Sequence, residues 1–213
     1  MQVVSVRSGL FLAAALAVAT SQVQATDLKT AGLFSGAGPA RAAVVATTLP
    51  PVGWAGFCQN YRDECDDALT SPAEVPLNRK TLRDLKAVND HFNATIIPVT
   101  DMEHWGVAER WDYPSDGRGD CEDYVLAKRR MLMDMGYPRQ ALLVTVVRDN
   151  LGEGHAVLTV VTDRGDLVLD NRRSAILPWS RTGYTFVKRQ SAVSQNAWVS
   201  LGAPQDAVAT ASR

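Results

Sequence analysis

The sequence predicts an α+β fold in which two helices come first and a meander of antiparallel strands follows. Two observations carry this. Between Asn78 and Met135 the apolar residues recur at helical spacing in two separate runs. Beyond Pro138 the pattern turns to short valine-rich runs divided by turn signals. Helical runs followed by strand runs, without alternation, are the order of a domain whose helices lie against an antiparallel sheet.

Taken in order, the first helix has Asn78 or its neighbour as cap and sets Leu82, Leu85, Val88 or Asn89, and Phe92 on one face. Ile96–Val99 is a short extended piece, and Asp101 to Gly119 reads as a loop rich in Trp, Asp and Gly. The second helix starts at Asp120 or Cys121 and runs to about Met135, with Val125, Leu126, Leu132 and Met135 on its apolar face. Gly136 and then Pro138 stop it. Strands are expected over 141–148, 155–162, 167–170 and 184–189, with a hairpin turn at 163–166.

Residues 1–25 read as a signal peptide: Arg7, an apolar run from Leu10 to Ala19, then Val23-Gln24-Ala25 with small residues at a cleavage site. That run falls short of the roughly 20 apolar residues a bilayer span requires. Retention as an anchor is the alternative to cleavage. Residues 26–50, rich in Ala, Gly and Thr, read as a flexible lead-in closed by Pro50-Pro51, and 51–213 as one domain. The expected location is periplasmic or secreted. A formal net charge of -1 without a basic block sets nucleic acid and anionic membrane surfaces aside.

Three cysteines in an exported chain leave one over. Cys58 and Cys65 lie close together and are paired most economically as a disulfide, which leaves Cys121 free. Cys121 stands at the start of the second helix, behind Gly117-Arg118-Gly119-Asp120. There the helix dipole and unpaired N–H groups favour the thiolate, which is the nucleophile. The glycines leave room for a substrate backbone to approach.

Of the three histidines, His91 falls on a helix and His104 in the Trp-rich loop. His155 opens a strand behind Gly152-Glu153-Gly154, where the sheet positions it and a cleft is within reach. Asp170 ends the next strand, where a carboxylate can orient an imidazole. Pairing symmetric about Arg164-Gly165 leaves the two several residues out of register, so a bulge, a strong twist or a different pairing is required.

Trp111-Asp112-Tyr113-Pro114, Gly119-Asp120-Cys121-Glu122-Asp123-Tyr124 with Lys128, His155-Ala156-Val157-Leu158 and Leu169-Asp170-Asn171 together resemble the bacterial transglutaminase-like cysteine proteinases, over roughly 78–196. That family includes periplasmic proteases that clip large surface adhesins. The resemblance implies a papain-like, transglutaminase-like fold, with the cysteine-bearing helix packed on an antiparallel sheet. It also implies a Cys121–His155–Asp170 triad and hydrolysis of peptide bonds through a thioester. Calcium is implied as well, held at Asp120 and Glu122; helix N-terminal acids without a metal are the alternative. The implied partners are a protein substrate in the cell envelope, such as an adhesin, and a membrane-bound regulator. The same triad also serves a transglutaminase or a cell-wall amide hydrolase, and a calcium-dependent binding module without turnover is the reading from another class. Trp54, Trp105 and Trp111 either line the cleft or pack in the core.

Overall fold

In the computed structural model, which describes Met1 and residues 40–65 and 68–201, the chain runs through β1 (Ala46–Thr48), α1 (Val52–Asn60), α2 (Arg79–Thr95), β2 (Ile97–Pro98), α3 (Asp101–Trp105), β3 (Arg118–Gly119) and α4 (Cys121–Asp134). There follow β4 (Leu142–Arg148), β5 (Gly154–Thr162), β6 (Gly165–Asp170), β7 (Arg173–Pro178), β8 (Thr185–Gln190) and β9 (Trp198–Ser200). Residues 2–39, which hold nearly all of the expected signal peptide and much of the lead-in, lie outside the described residues.

The long helices begin and end for the reasons legible in their residues. The Asn78 side chain accepts the Thr81 N–H at 3.0 Å and so satisfies one of the four free donors of α2. Past α4, Gly136 takes φ 89°, a left-handed conformation that glycine adopts without penalty. One element is new. Within the expected loop, Thr100 and Glu103 form a reciprocal capping box that starts α3.

Seven strands form an antiparallel sheet in the order β1-β9-β8-β4-β5-β6-β7. Helices α1, α2 and α4 cover one face, and the main core lies between: Trp54, Phe57, Leu85, Leu126, Leu132, Leu142 and Leu158 are all fully buried there. A smaller cluster of Val147, Val157, Val168 and Phe186 lines the opposite face, with Trp179 and Tyr184 packed on it. The fold is therefore the expected α+β arrangement, with the Cys121 helix against the interior strand β5.

Residues 40–50, read from the sequence as flexible lead-in, join this sheet instead. The Ala42 N–H donates to Asp166 at 3.1 Å, and β1 pairs with β9 through Thr47 opposite Val199. A three-residue edge strand is too short to show a period. Strands β7 and β9 and helix α1 were also not anticipated.

The register removes the obstacle between His155 and Asp170. Thr162 pairs with Gly165, so the turn is Asp163-Arg164, one residue earlier than expected. Leu158 faces Leu169, and the same register carries Val157 opposite Asp170. His155 lies two residues beyond Val157, on the same face, which makes it a diagonal neighbour of Asp170. Such pairs stand roughly 7–8 Å apart and are spanned by long side chains. The β5–β6 ladder needs no bulge.

Cys58 and Cys65 form the expected disulfide, and Cys121, outside that bridge, is a buried thiol. The bridge holds the turn carrying Glu64, whose carboxylate accepts from Arg129 and Arg130 of α4, from Arg139 and from Tyr113. Arg129 is 1% exposed, so Glu64 is the counter-charge that makes its burial tolerable.

Candidate active site

Cys121 is the first residue of α4, fully buried, with its sulfur over β5. The Ala156 N–H donates to Sγ at 3.3 Å, and the thiol donates to Glu122 Oε2 at 3.0 Å. Next to Ala156 stands His155, whose Nε2–H donates to Asp170 Oδ1 at 2.9 Å. Asp170 also accepts the Arg172 N–H at 3.0 Å and the Tyr184 hydroxyl at 2.6 Å. The structure thus brings together Cys121, His155 and Asp170, which lie far apart in the chain.

Burial is the largest influence on His155 and lowers its pKa. The Asp170 hydrogen bond and the neighbouring Cys121 sulfur outweigh it, and the imidazole is pushed up to about 9. For Asp170 burial again works toward the neutral form. His155, Tyr184 and the Arg172 N–H outweigh it and bring the carboxyl down to about 2. The two groups form a buried, charge-assisted pair. The other histidines are placed elsewhere: His91 is exposed on α2, while His104 stacks on Trp105 and bonds Asp116 at 2.8 Å.

Asp120 precedes α4 in extended conformation, yet its side chain makes no cap hydrogen bond. It joins Glu122 and Asp101, the latter brought in by α3, in a buried group whose carboxylate oxygens lie within 4.8 Å of one another. Asp120 Oδ1 and Glu122 Oε1 are buried with no hydrogen-bond partner. Burial pushes Asp120 up to about 7 and Glu122 well above the usual carboxylate range. Three crowded acids with oxygens to spare fit a hard cation better than they fit helix capping. Asp101 was missed in the sequence, where it reads as one acid of a loop.

Gly119 has a packing role within the fold. A Cβ there would meet Asp123 Oδ2 at 2.5 Å, so the missing side chain makes room for a buried acid that accepts the Asp112 N–H at 2.9 Å. Trp54 and Trp111 are core residues, stacked edge-to-face with Trp198, and Trp105 alone of the three is exposed. Lys128, two turns along α4 from Cys121, is fully buried over the Tyr124 ring at 5.7 Å, and burial brings its pKa down to about 7. A polar depression of about 610 Å³ lies toward the far end of α4, lined by Arg62, Glu64, Arg130 and Arg139. It adjoins the Glu64 ion cluster and not the triad.

Among known families, that of the bacterial transglutaminase-like cysteine proteinases matches this chain over residues 44–206. No match emerges among curated proteins. Three solved structures of Legionella pneumophila LapG are similar. One has 29% identity over 53% of this chain and 64% of that one, with a TM-score of 0.46. A calcium-bound form has 28% identity over 60% and 75%, TM-score 0.49. An EGTA-treated form has 31% identity over 52% and 63%, TM-score 0.46. The chain therefore spans less than two thirds of the first of these proteins.

Proposed function

Because the chain belongs to the bacterial transglutaminase-like cysteine proteinases, a family of enzymes, we propose that it hydrolyses peptide bonds of an envelope or surface protein. In this reading Cys121 is the nucleophile, His155 the base and Asp170 the group that orients the imidazole. The observation that carries it is the buried 2.9 Å bond between His155 and Asp170 beside a cysteine at a helix N-terminus.

The chemistry follows from these positions. In the reactive form the Cys121 proton resides on His155, held as the imidazolium beside Asp170, and the Cys121 thiolate attacks the carbonyl carbon to form a C–S bond. His155 then gives that proton to the leaving amine as the C–N bond breaks, which leaves a thioester. Water, deprotonated by His155, attacks the thioester; the acid departs as the C–S bond breaks, and the thiolate is left beside the imidazolium. Asp170 keeps the ring in one orientation throughout and balances the imidazolium. The Cys121 N–H, in the first turn of α4, is the donor placed for the developing oxyanion.

Asp101, Asp120 and Glu122 are the residues that would hold calcium, since their hard oxygen donors suit it. Bound there, the ion supplies positive charge that offsets the crowded carboxylates and favours a nearby thiolate. Fixing these acids also fixes the segment that delivers Cys121.

We place the enzyme in the periplasm or outside the cell, supported by the Cys58–Cys65 disulfide and the leader-like N-terminus. Among the described residues no helix is long and apolar enough to cross a membrane. A surface adhesin as substrate and a membrane-bound regulator complete the proposal.

The test is incubation with isolated envelope proteins and sequencing of newly formed N-termini. The wild type is expected to generate discrete new N-termini, and a folded Cys121→Ala protein none. Incorporation of an added primary amine without new N-termini would replace hydrolysis with acyl transfer.

A further inference from the structure

Two strands of the sheet, β4 and β5, separate β8 from β6, yet a side chain from the residue just before β8 reaches the acid at the end of β6. The loop before β8 arranges this. The Thr182 hydroxyl donates to Trp179 O at 2.9 Å and accepts the Tyr184 N–H at 3.2 Å. Gly183 turns the chain at φ 79°, in a space where a Cβ would meet Asn150 Oδ1 at 3.1 Å. The result lays Tyr184 across the end of the sheet. Its hydroxyl donates to Asp170 Oδ2 at 2.6 Å, and its ring meets the His155 ring edge-on, with centroids 5.6 Å apart. Outside the ring lies Arg173, its guanidinium 5.0 Å from the centroid and its Nε 4.0 Å from Asp170 Oδ2.

We propose that Tyr184 is a positioning residue of the triad, its hydroxyl locking the Asp170 carboxylate and its ring keeping water from the His155–Asp170 hydrogen bond. The proposal rests on the triad reading above. Asp170 has two oxygens and the imidazole needs one of them in a fixed direction. The carboxylate turns as one plane about its Cβ–Cγ bond; His155 and the Arg172 N–H hold it at Oδ1, and the Tyr184 hydroxyl holds the same plane at Oδ2. Burial, and then Asp170 itself, raise the Tyr184 pKa far above neutrality, so the phenol stays a donor. The ring has a separate role. A hydrogen bond between charged partners is stronger where water is excluded, and Tyr184 with Arg173 forms the outer wall on that side.

The two roles separate in two variants. Tyr184→Phe removes the donor and keeps the wall; Tyr184→Ala removes both. Two readouts apply: the rate at which iodoacetamide modifies Cys121 at pH 6, and the NMR signal of the His155 Nε2–H proton. Tyr184→Phe is expected to react roughly tenfold more slowly, the effect of one hydrogen bond to a charged group, with the imidazole proton still visible. Tyr184→Ala is expected to be slower again and to lose that proton signal to exchange with water. Both variants reacting within about twofold of wild type, with the signal intact in Tyr184→Ala, would overturn the proposal. His155→Ala run beside them separates the two levels: if it too reacts as fast as wild type, the triad reading has failed, and this inference with it.

Discussion

Burial alone would strip His155 of its proton and neutralise Asp170; placed 2.9 Å apart, each holds the other charged. That pairing has a stability signature with a definite sign. A histidine whose pKa is raised on folding, here from 6.5 to about 9, stabilises fully below 6.5 and loses its contribution as the pH rises through about 9. An acid depressed from 3.8 to about 2 stabilises fully above 3.8 and loses its contribution as the pH falls through about 2. Both contributions are therefore complete between pH 3.8 and 6.5. In urea unfolding, the stability gap between wild type and Asp170→Asn should be widest in that window and narrow above about pH 9. A gap that stays constant across the range would mean the pair is not ionised. At this scale the sequence was informative about Cys121, His155 and Asp170, because each sits at the end of an element where a side chain can face a cleft. It was silent on Tyr184 and Asp101, whose roles come from neighbours distant in the chain.

Elements with strong punctuation were legible. Helix α2 has its Asn78 cap, and α4 has its glycine and proline stop. Helix α3 has its signal in Thr100-x-x-Glu103, but five residues within a Trp-, Asp- and Gly-rich stretch are too few to show a helical period. Strands β1 and β9, three residues each, are too short for periodicity, and β7 is a partly exposed edge strand. The β5–β6 turn, read one residue late, doubled the apparent offset between His155 and Asp170. Gly119 shows how an element boundary controls the site. In Gly119→Ala the new methyl would displace Asp123 from the first turn of α4 and weaken its bond to the Asp112 N–H. The expected result is roughly a tenfold fall in the rate of Cys121 alkylation, with helical circular dichroism retained; the size reflects a shift of reacting groups by a fraction of an ångström. Wild-type reactivity in that variant would show that α4 tolerates the displacement and that Asp123 does not position Cys121.

Across the whole molecule, the helix carrying Cys121 is tied at both ends to other parts of the chain. At its start, Asp120 and Glu122 meet Asp101 of α3; further along, Arg129 and Arg130 meet Glu64 beside the disulfide. The first tie is the one that a cation would complete. EGTA should suppress cleavage and slow Cys121 alkylation while leaving the far-ultraviolet circular dichroism unchanged. Calcium should restore both better than magnesium, whose stricter octahedral geometry suits such a site less well. Asp101→Asn should resemble the chelated wild type. Full activity in excess EGTA, with no calcium uptake by calorimetry, would leave the three acids as a structural cluster. The central claim is that peptide bonds are cut through a thioester on Cys121, and the most direct test is mass spectrometry of acid-quenched reactions with isolated envelope proteins. An acyl fragment is expected on the Cys121 peptide, released by hydroxylamine and missing from His155→Ala. Cleavage that continues in Cys121→Ala, with no adduct on the wild-type cysteine, would contradict it.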